Sequence, residues 1–333
     1  MNIDLHCHSF PQPYVSLLRR EGTVGDVTLV TGEAGTEHLL VEGGKQKLPL
    51  TARMCSPASL LTAMDDARVD LAALSPASTM FHYGAEAPAA QRVARALNEG
   101  FAAMSLDSPE HLTFFATVPM QHPALALTEL DYAVRELGAA GVAIATNVQG
   151  ANLDEPEFLP FFERVHEYEL TLFIHPAHVA GADRLSRYYL ANLIGNPVDT
   201  SIAVASLIFG GVMERLPRLK VVLCHGGGVV PCLRGRWRHG TQVRPEPGRA
   251  ISQPPDRYIE RLYFDTITHD AETLRFLLDT TSDDRIVLGS DYPFDMGDPR
   301  PVDSVEAVSP MSESSRQKIL GGNAARLLGI ENR

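Results

Sequence analysis

Histidine and aspartate recur at the ends of short apolar runs in this chain of 333 residues. His6 and His8 close IDLHCH, His175 closes LFIH, His225 closes VVLCH, and Asp291 follows IVLGS. Imidazole and carboxylate are the usual ligands of a divalent ion such as zinc, and residues two apart on a strand project to the same face. His6 and His8 therefore point together, with Cys7 turned to the opposite side. With His175 and Asp291 they would supply three neutral imidazoles and one carboxylate, leaving a place for a water whose pKa the metal lowers. His225 would then be a base or a water-orienting group, since imidazole exchanges protons in that range. Taken singly, each motif has a plainer reading: a structural histidine, a turn in GSDYP with Asp291 capping a helix, or an anion-binding glycine loop in HGGG. Those readings do not explain why the motifs fall in order at the carboxyl ends of apolar runs.

Strands deliver side chains to one end when they lie parallel, as in a barrel whose active site is built at the carboxyl ends. The runs Ile3–His6, Leu71–Pro76, Leu112–Val118, Val142–Ala145, Leu170–His175, Val221–His225, Leu262–Thr266 and Ile286–Ser290 read as strands, and eight is the number a closed barrel needs. Helical patterns lie between them at Pro57–Ala67, Ala89–Met104, Ala124–Leu137, Pro156–Tyr168, Thr200–Arg215 and Ala271–Thr280, several opened by Pro, Ser or Asp. The expectation is an α/β chain folded as a (β/α)8 TIM barrel, with residues 1–333 as a single domain. Residues 21–50 break the rhythm and read as a small β-hairpin inserted after strand 1, over the barrel mouth. A second insertion, Ala177–Asn196, carries Arg184, Arg187, Tyr188 and Tyr189 and would form part of the pocket wall. Ser312–Leu328 reads as two helices outside the barrel.

Lys and Arg number 29 against 41 Asp and Glu, a formal charge of -12, and no stretch gathers cations with aromatics. This argues against a nucleic-acid partner and for a small-molecule substrate. The four cysteines lack zinc-finger spacing and read as reduced thiols of a cytoplasmic protein. The start of the chain has no basic segment followed by an apolar one, and no run is long enough to cross a bilayer, so secretion and membrane insertion are not expected.

With these residues in order, the chain resembles the amidohydrolase superfamily, and within it the branch of 2-amino-3-carboxymuconate 6-semialdehyde decarboxylase and related nonoxidative decarboxylases. The likeness runs nearly end to end through IDLHCH, TVPMQ, FIHP, IGNPVDTSIAVASLIFGGVMERLPRLK, CHGGG, GRWRHGTQVRPE, YFDTITHD, GSDYPF and GNAARLLG. The resemblance implies one zinc per chain on His6, His8, His175 and Asp291, with manganese or cobalt as alternatives, and His225 activating the metal-bound water. HxH in place of ExH, and no Lys at the end of GVAIAT, imply a mononuclear site. It also implies a zinc-dependent carbon-carbon lyase that decarboxylates an aromatic or muconate-semialdehyde-like acid in a catabolic pathway. The alternative is a metal-dependent hydrolase or hydratase of a ring-cleavage product, lactone or amide. A cationic clamp for the substrate carboxylate is implied at Arg244, reaching across a homodimer, with Arg236 nearby. Phe294, His178 and Asn192 are implied to line the substrate pocket. The chain departs from the branch in carrying Leu48 beside Lys47 in place of an Arg, Cys55-Ser56-Pro57 in place of a Trp-containing segment, Ala177-His178 in place of Trp-Asp, and Asn192 in place of a Trp.

Overall fold

The structure is a computed structural model that describes residues 1–32, 35–41 and 46–330. Residues 33, 34 and 42–45 of the expected hairpin, and 331–333 of the expected single domain, lie outside the described residues. In chain order the strands are β1 (Ile3–His8), β2 (Thr23–Val24), β3 (Val27–Thr31), β4 (Glu37–Val41), β5 (Gln46–Pro49), β6 (Leu71–Ser75), β7 (Leu112–Thr117), β8 (Gly141–Ala145), β9 (Thr171–His175), β10 (Lys220–Leu223), β11 (Tyr263–Asp265) and β12 (Ile286–Val287). Eight of them form one sheet in the order β1-β6-β7-β8-β9-β10-β11-β12, with parallel pairing at each ladder. Every residue of β1, β6, β8 and β9 is buried, because helices cover one face of the sheet and packed side chains fill the other. This is why these strands read as unbroken apolar runs.

The ring closes between the first strand and the segment after β12. Leu5 N donates to Leu288 O at 2.9 Å, His8 N to Tyr292 O at 2.8 Å, and Asp291 N to His6 O at 2.7 Å. The pairing of β1 with β6 shifts register between Asp4 and Cys7, a bulge of the kind that re-aims side chains beside active sites. The Asp4 carboxylate accepts from His6 N at 2.9 Å within the bulge and from Ser290 N at 3.1 Å across the seam. The expected (β/α)8 barrel is therefore present.

Most helices follow the sequence pattern, and Ala271–Thr280 starts where Asp270 accepts from Thr273 N at 2.8 Å. The expected helix at Thr200–Arg215 is instead two, Asn196–Phe209 and Val212–Arg215, parted at Gly211, whose φ is +80°. The expected hairpin insertion after strand 1 is antiparallel β and extends to four strands, in the order β2-β3-β4-β5. The strand that the sequence hides is β5, where polar QKLP pairs with β4 and sets Leu48 opposite the buried Leu39. The carboxyl-terminal segment is Glu313–Gln317, a π-helical turn at Lys318–Gly322, and Asn323–Leu328. It covers the lower end of the barrel, with Leu288 N donating to Ile319 O at 3.1 Å and Thr171 Oγ1 to Leu327 O at 2.8 Å.

Candidate metal centre

The carboxyl end of the barrel brings together His6, His8, His175 and Asp291, one ligand atom from each lying within 4.8 Å of all the others. The two β1 imidazoles meet with their Nε2 atoms 3.1 Å apart, and Asp291 Oδ1 stands 3.3 Å from His6 Nε2 and 3.1 Å from His8 Nε2. Each histidine is held from behind at Nδ1: His6 by Asp265 Oδ2 at 2.6 Å, His8 by Ser75 O at 3.2 Å, and His175 by Pro176 O at 3.0 Å. A ligating histidine is held in this way, one ring nitrogen in a hydrogen bond and the other on the ion. His175 Nε2 is buried with no hydrogen-bond partner among the described residues, and Asp291 Oδ1, though 3.1–3.3 Å from two imidazoles, is not aligned for a hydrogen bond with either. Buried polar atoms are almost always satisfied, so two orphans aimed into one cluster of nitrogen and oxygen donors fit a divalent cation.

The electrostatics follow from crowding titratable groups into the barrel core. Burial disfavours the His6 imidazolium, but the Asp291 and Asp265 carboxylates outweigh it and hold the ring up at about 10. Burial pushes His8 down, and it pushes His175 down strongly, with His8, His6 and His225 adding repulsion. Burial alone would raise Asp291, yet His6, His225 and His8 keep its carboxyl well below the usual range. Asp291 is thus held ionised beside the imidazoles, the charge that a divalent cation would meet.

His225 follows β10, with its Nε2 3.4 Å from Asp291 Oδ2. His225 and Asp291 both adopt left-handed backbone, at φ +54° and +55°, a conformation that costs energy and gathers at functional sites. The glycines after His225 are needed for packing, since a Cβ at Gly228 would fall 2.2 Å from Pro197 O. HGGG is not an anion loop here: Gly226 N goes to Asp265 Oδ1 at 2.7 Å, and Gly227 N and Gly228 N go to Cys224 O and His225 O at 3.0 Å. Nor does Asp291 cap a helix, because its side chain faces the imidazoles.

A cavity of about 290 Å³ opens beside His225, walled by Pro197, Ile267, Phe276, Leu277 and Met296, with Asn192, Asn196 and His269 as polar groups. A larger groove of about 460 Å³ is lined by Asp4, Cys7, Ser290, Tyr292 and Phe294, whereas His225 lines the smaller cavity. Of the expected pocket residues, Asn192 lines the cavity. Phe294 lines the larger groove and stacks edge-on against His8 with ring centroids 5.6 Å apart. His178 lies with its Nε2 3.4 Å from Asp26 Oδ2, joining the second insertion to the four-stranded sheet. Arg236 is exposed on helix Val230–Val243. Arg244 ends that helix, exposed and paired with Glu246, and neither arginine lines the cavity of its own chain. His82 is a buried structural group, its Nε2 2.8 Å from the Tyr14 hydroxyl and its Nδ1 3.1 Å from Val24 O.

Sequence reasoning passed over Asp265. Its signal was a lone carboxylate inside the apolar run LYFDT, because a buried acid demands partners; it is 0% exposed. Asp4 in IDLHCH gives the same signal.

The Amidohydrolase family matches residues 3–330. The 2-amino-3-carboxymuconate-6-semialdehyde decarboxylase of Dictyostelium discoideum is 34% identical over 332 residues, covering 99% of this chain and 92% of the relative. Among solved structures, the apo IDCase of Metarhizium anisopliae superposes with a TM-score of 0.85 at 26% identity, covering 100% of this chain and 98% of that one. A dihydroxybenzoic acid decarboxylase of Polaromonas with bound manganese and the inhibitor 2-nitroresorcinol superposes with a TM-score of 0.81 at 22% identity, covering 100% and 98%. On these matches and the barrel that carries them, the chain belongs to the amidohydrolase family and fits its 2-amino-3-carboxymuconate-6-semialdehyde decarboxylase branch.

Proposed function

We propose that this protein is a metal-dependent nonoxidative decarboxylase, a carbon-carbon lyase acting on a small aromatic or muconate-semialdehyde-like carboxylic acid. The observation that carries the reading is the convergence of His6, His8, His175 and Asp291 around two buried unpartnered atoms, in a chain whose relatives bear decarboxylase names. These four residues are the proposed ligands, and zinc is the proposed ion, since three imidazoles and a carboxylate suit it. When bound, the ion supplies Lewis acidity, drawing water into the titrating range and stabilising negative charge.

The remaining work falls to the chain's own groups. His225 Nε2, 3.4 Å from Asp291 Oδ2, passes a proton drawn from solvent to the substrate carbon as its bond to the carboxylate carbon breaks and carbon dioxide departs. The mostly apolar cavity of about 290 Å³ accommodates one ring or short conjugated chain, with Asn192 and His269 as polar contacts. No Lys or Arg lines it among the described residues, whereas a carboxylate calls for a cation with bidentate geometry. Arg244, contributed by the second copy in a homodimer, is the proposed clamp, with Arg236 beside it. Leu193 and Phe276 are exposed at the cavity, and Ile194, Val198 and Ile202 are exposed on the same stretch of chain as Leu193, an apolar surface that supports such pairing. All four cysteines are free, which supports a reducing, cytoplasmic setting, and no helix among the described residues is long and apolar enough to cross a membrane.

The test is metal analysis of the purified protein together with a carbon dioxide release screen over hydroxybenzoates, picolinates, aminobenzoates and carboxymuconate semialdehydes. About one ion per chain with release from a member of the panel is the expected result. A bound ion with hydrolysis or hydration of ring-cleavage products, and no release, would overturn the lyase reading.

A further inference from the structure

Asp265 ends β11 and is fully buried. Its two oxygens receive four donors. Oδ2 accepts from His6 Nδ1 at 2.6 Å and from His225 N at 2.9 Å, while Oδ1 accepts from Gly226 N at 2.7 Å and Ile267 N at 3.1 Å. One carboxylate therefore grips a proposed ligand and the turn that presents the proposed base. The geometry points to Asp265 as the positioning residue that couples the two, setting which nitrogen of His6 faces the metal and how His225 is aimed at Asp291.

This coupling, which rests on the proposed metal site, acts through proton placement. An acceptor-only carboxylate against His6 Nδ1 requires a proton on that nitrogen, so Nε2, which faces His8 and Asp291, is the nitrogen left for coordination. The same oxygen accepts the N–H of His225, whose left-handed backbone at φ +54° is a conformation that a side chain adopts only when its surroundings hold it. Gly226 continues the turn at φ +61°, its N–H on the other oxygen. Ligand tautomer and base orientation thus share one anchor.

Asp265→Asn separates this role from simple structural support. The amide is isosteric, and its oxygen in the Oδ1 position still accepts from Gly226 and Ile267. Its NH₂ group in the Oδ2 position faces the His225 N–H and forces His6 to accept at Nδ1, moving the ring proton to Nε2, where it blocks coordination. Zinc affinity, measured by competition against a chromophoric chelator, is expected to fall roughly 10- to 100-fold, with turnover still depressed when zinc is saturating. Wild-type affinity in the variant would overturn the assignment, and full turnover at saturating zinc would overturn its His225 half. Should the variant not fold, ¹⁵N spectra of the zinc-loaded wild type decide: a proton on His6 Nδ1 supports the assignment, and ligation through Nδ1 overturns it. Carbon dioxide release by the wild type is scored separately, so failure of the lyase reading leaves the affinity result standing. A wild type that takes up no zinc overturns both.

Discussion

His225 Nε2 faces Asp291 Oδ2 across 3.4 Å, while the other oxygen of the same carboxylate lies 3.1 Å from His8 Nε2. Asp291 thus divides its oxygens between the proposed metal ligands and the proposed base, and the two functions can be separated by mutation.

His225→Ala should remove proton transfer and leave the four proposed ligands in place. A lone general acid-base group contributes roughly 10²- to 10⁴-fold, and kcat should fall by that order with metal content near one per chain. Loss of the ion on dialysis of the variant would make His225 a ligand and reverse its role.

Arg244→Ala tests the clamp. Hydrogen bonds to a charged group contribute roughly 1.5–3 kcal/mol, so KM should rise roughly 10- to 100-fold with kcat less affected. Mixed dimers of this variant with His225→Ala should recover activity, because one of the two sites then combines an intact base with an intact partner arginine. Intact dimers without recovery would place the arginine in its own chain's site or outside the chemistry.

Chelation should abolish turnover, and zinc, manganese or cobalt should restore it to differing degrees. An ion that binds only the folded chain stabilises it by roughly 4 kcal/mol at a thousandfold excess over Kd. The thermal midpoint should therefore drop on stripping and recover on reloading. A midpoint indifferent to metal would contradict a buried four-ligand site.

His82 predicts a pH dependence of stability unrelated to the metal. Burial pushes its pKa down to about 4, against a partial lift from Asp26. The unfolded chain binds this proton below its ordinary pKa of 6.5 and the folded chain does not, so stability is fully present above that value and is lost as pH falls from 6.5 toward 4. The loss attributable to His82 is roughly 3 kcal/mol. Urea unfolding at pH 7 and pH 5 should show a flatter slope in His82→Asn, since asparagine tolerates the φ of +48° there. An unchanged slope would assign the acid sensitivity elsewhere.

The barrel was legible because strands buried on both faces must be apolar throughout, so a His or Asp closing such a run stands out. The four proposed ligands and His225 could be named that way. Asp265 could not, since its importance lies in four hydrogen bonds whose donors come from β1, the turn after β10 and its own strand end, and no local spacing encodes that meeting. The bulge between Asp4 and Cys7 is invisible for a related reason: a register shift is a property of the pair of strands. β5 was missed because its polar residues pair at an edge of the small sheet, where nothing requires an apolar run. Arg244 entered only by resemblance, and in a single chain it stands on the surface.

The seam between β1 and the Leu288–Tyr292 segment runs through the proposed metal centre. Three of the four proposed ligands, His6, His8 and Asp291, sit on its two sides, so an ion held there would act as a clasp between the first and last strands of the barrel. A ribosome-bound fragment ending before Leu288 holds the histidines without the aspartate, and tight coordination has to wait until the last strand docks against the first. With the proposed ligands divided in this way, metal acquisition would follow closure of the ring, and a loaded centre would mark a completed barrel.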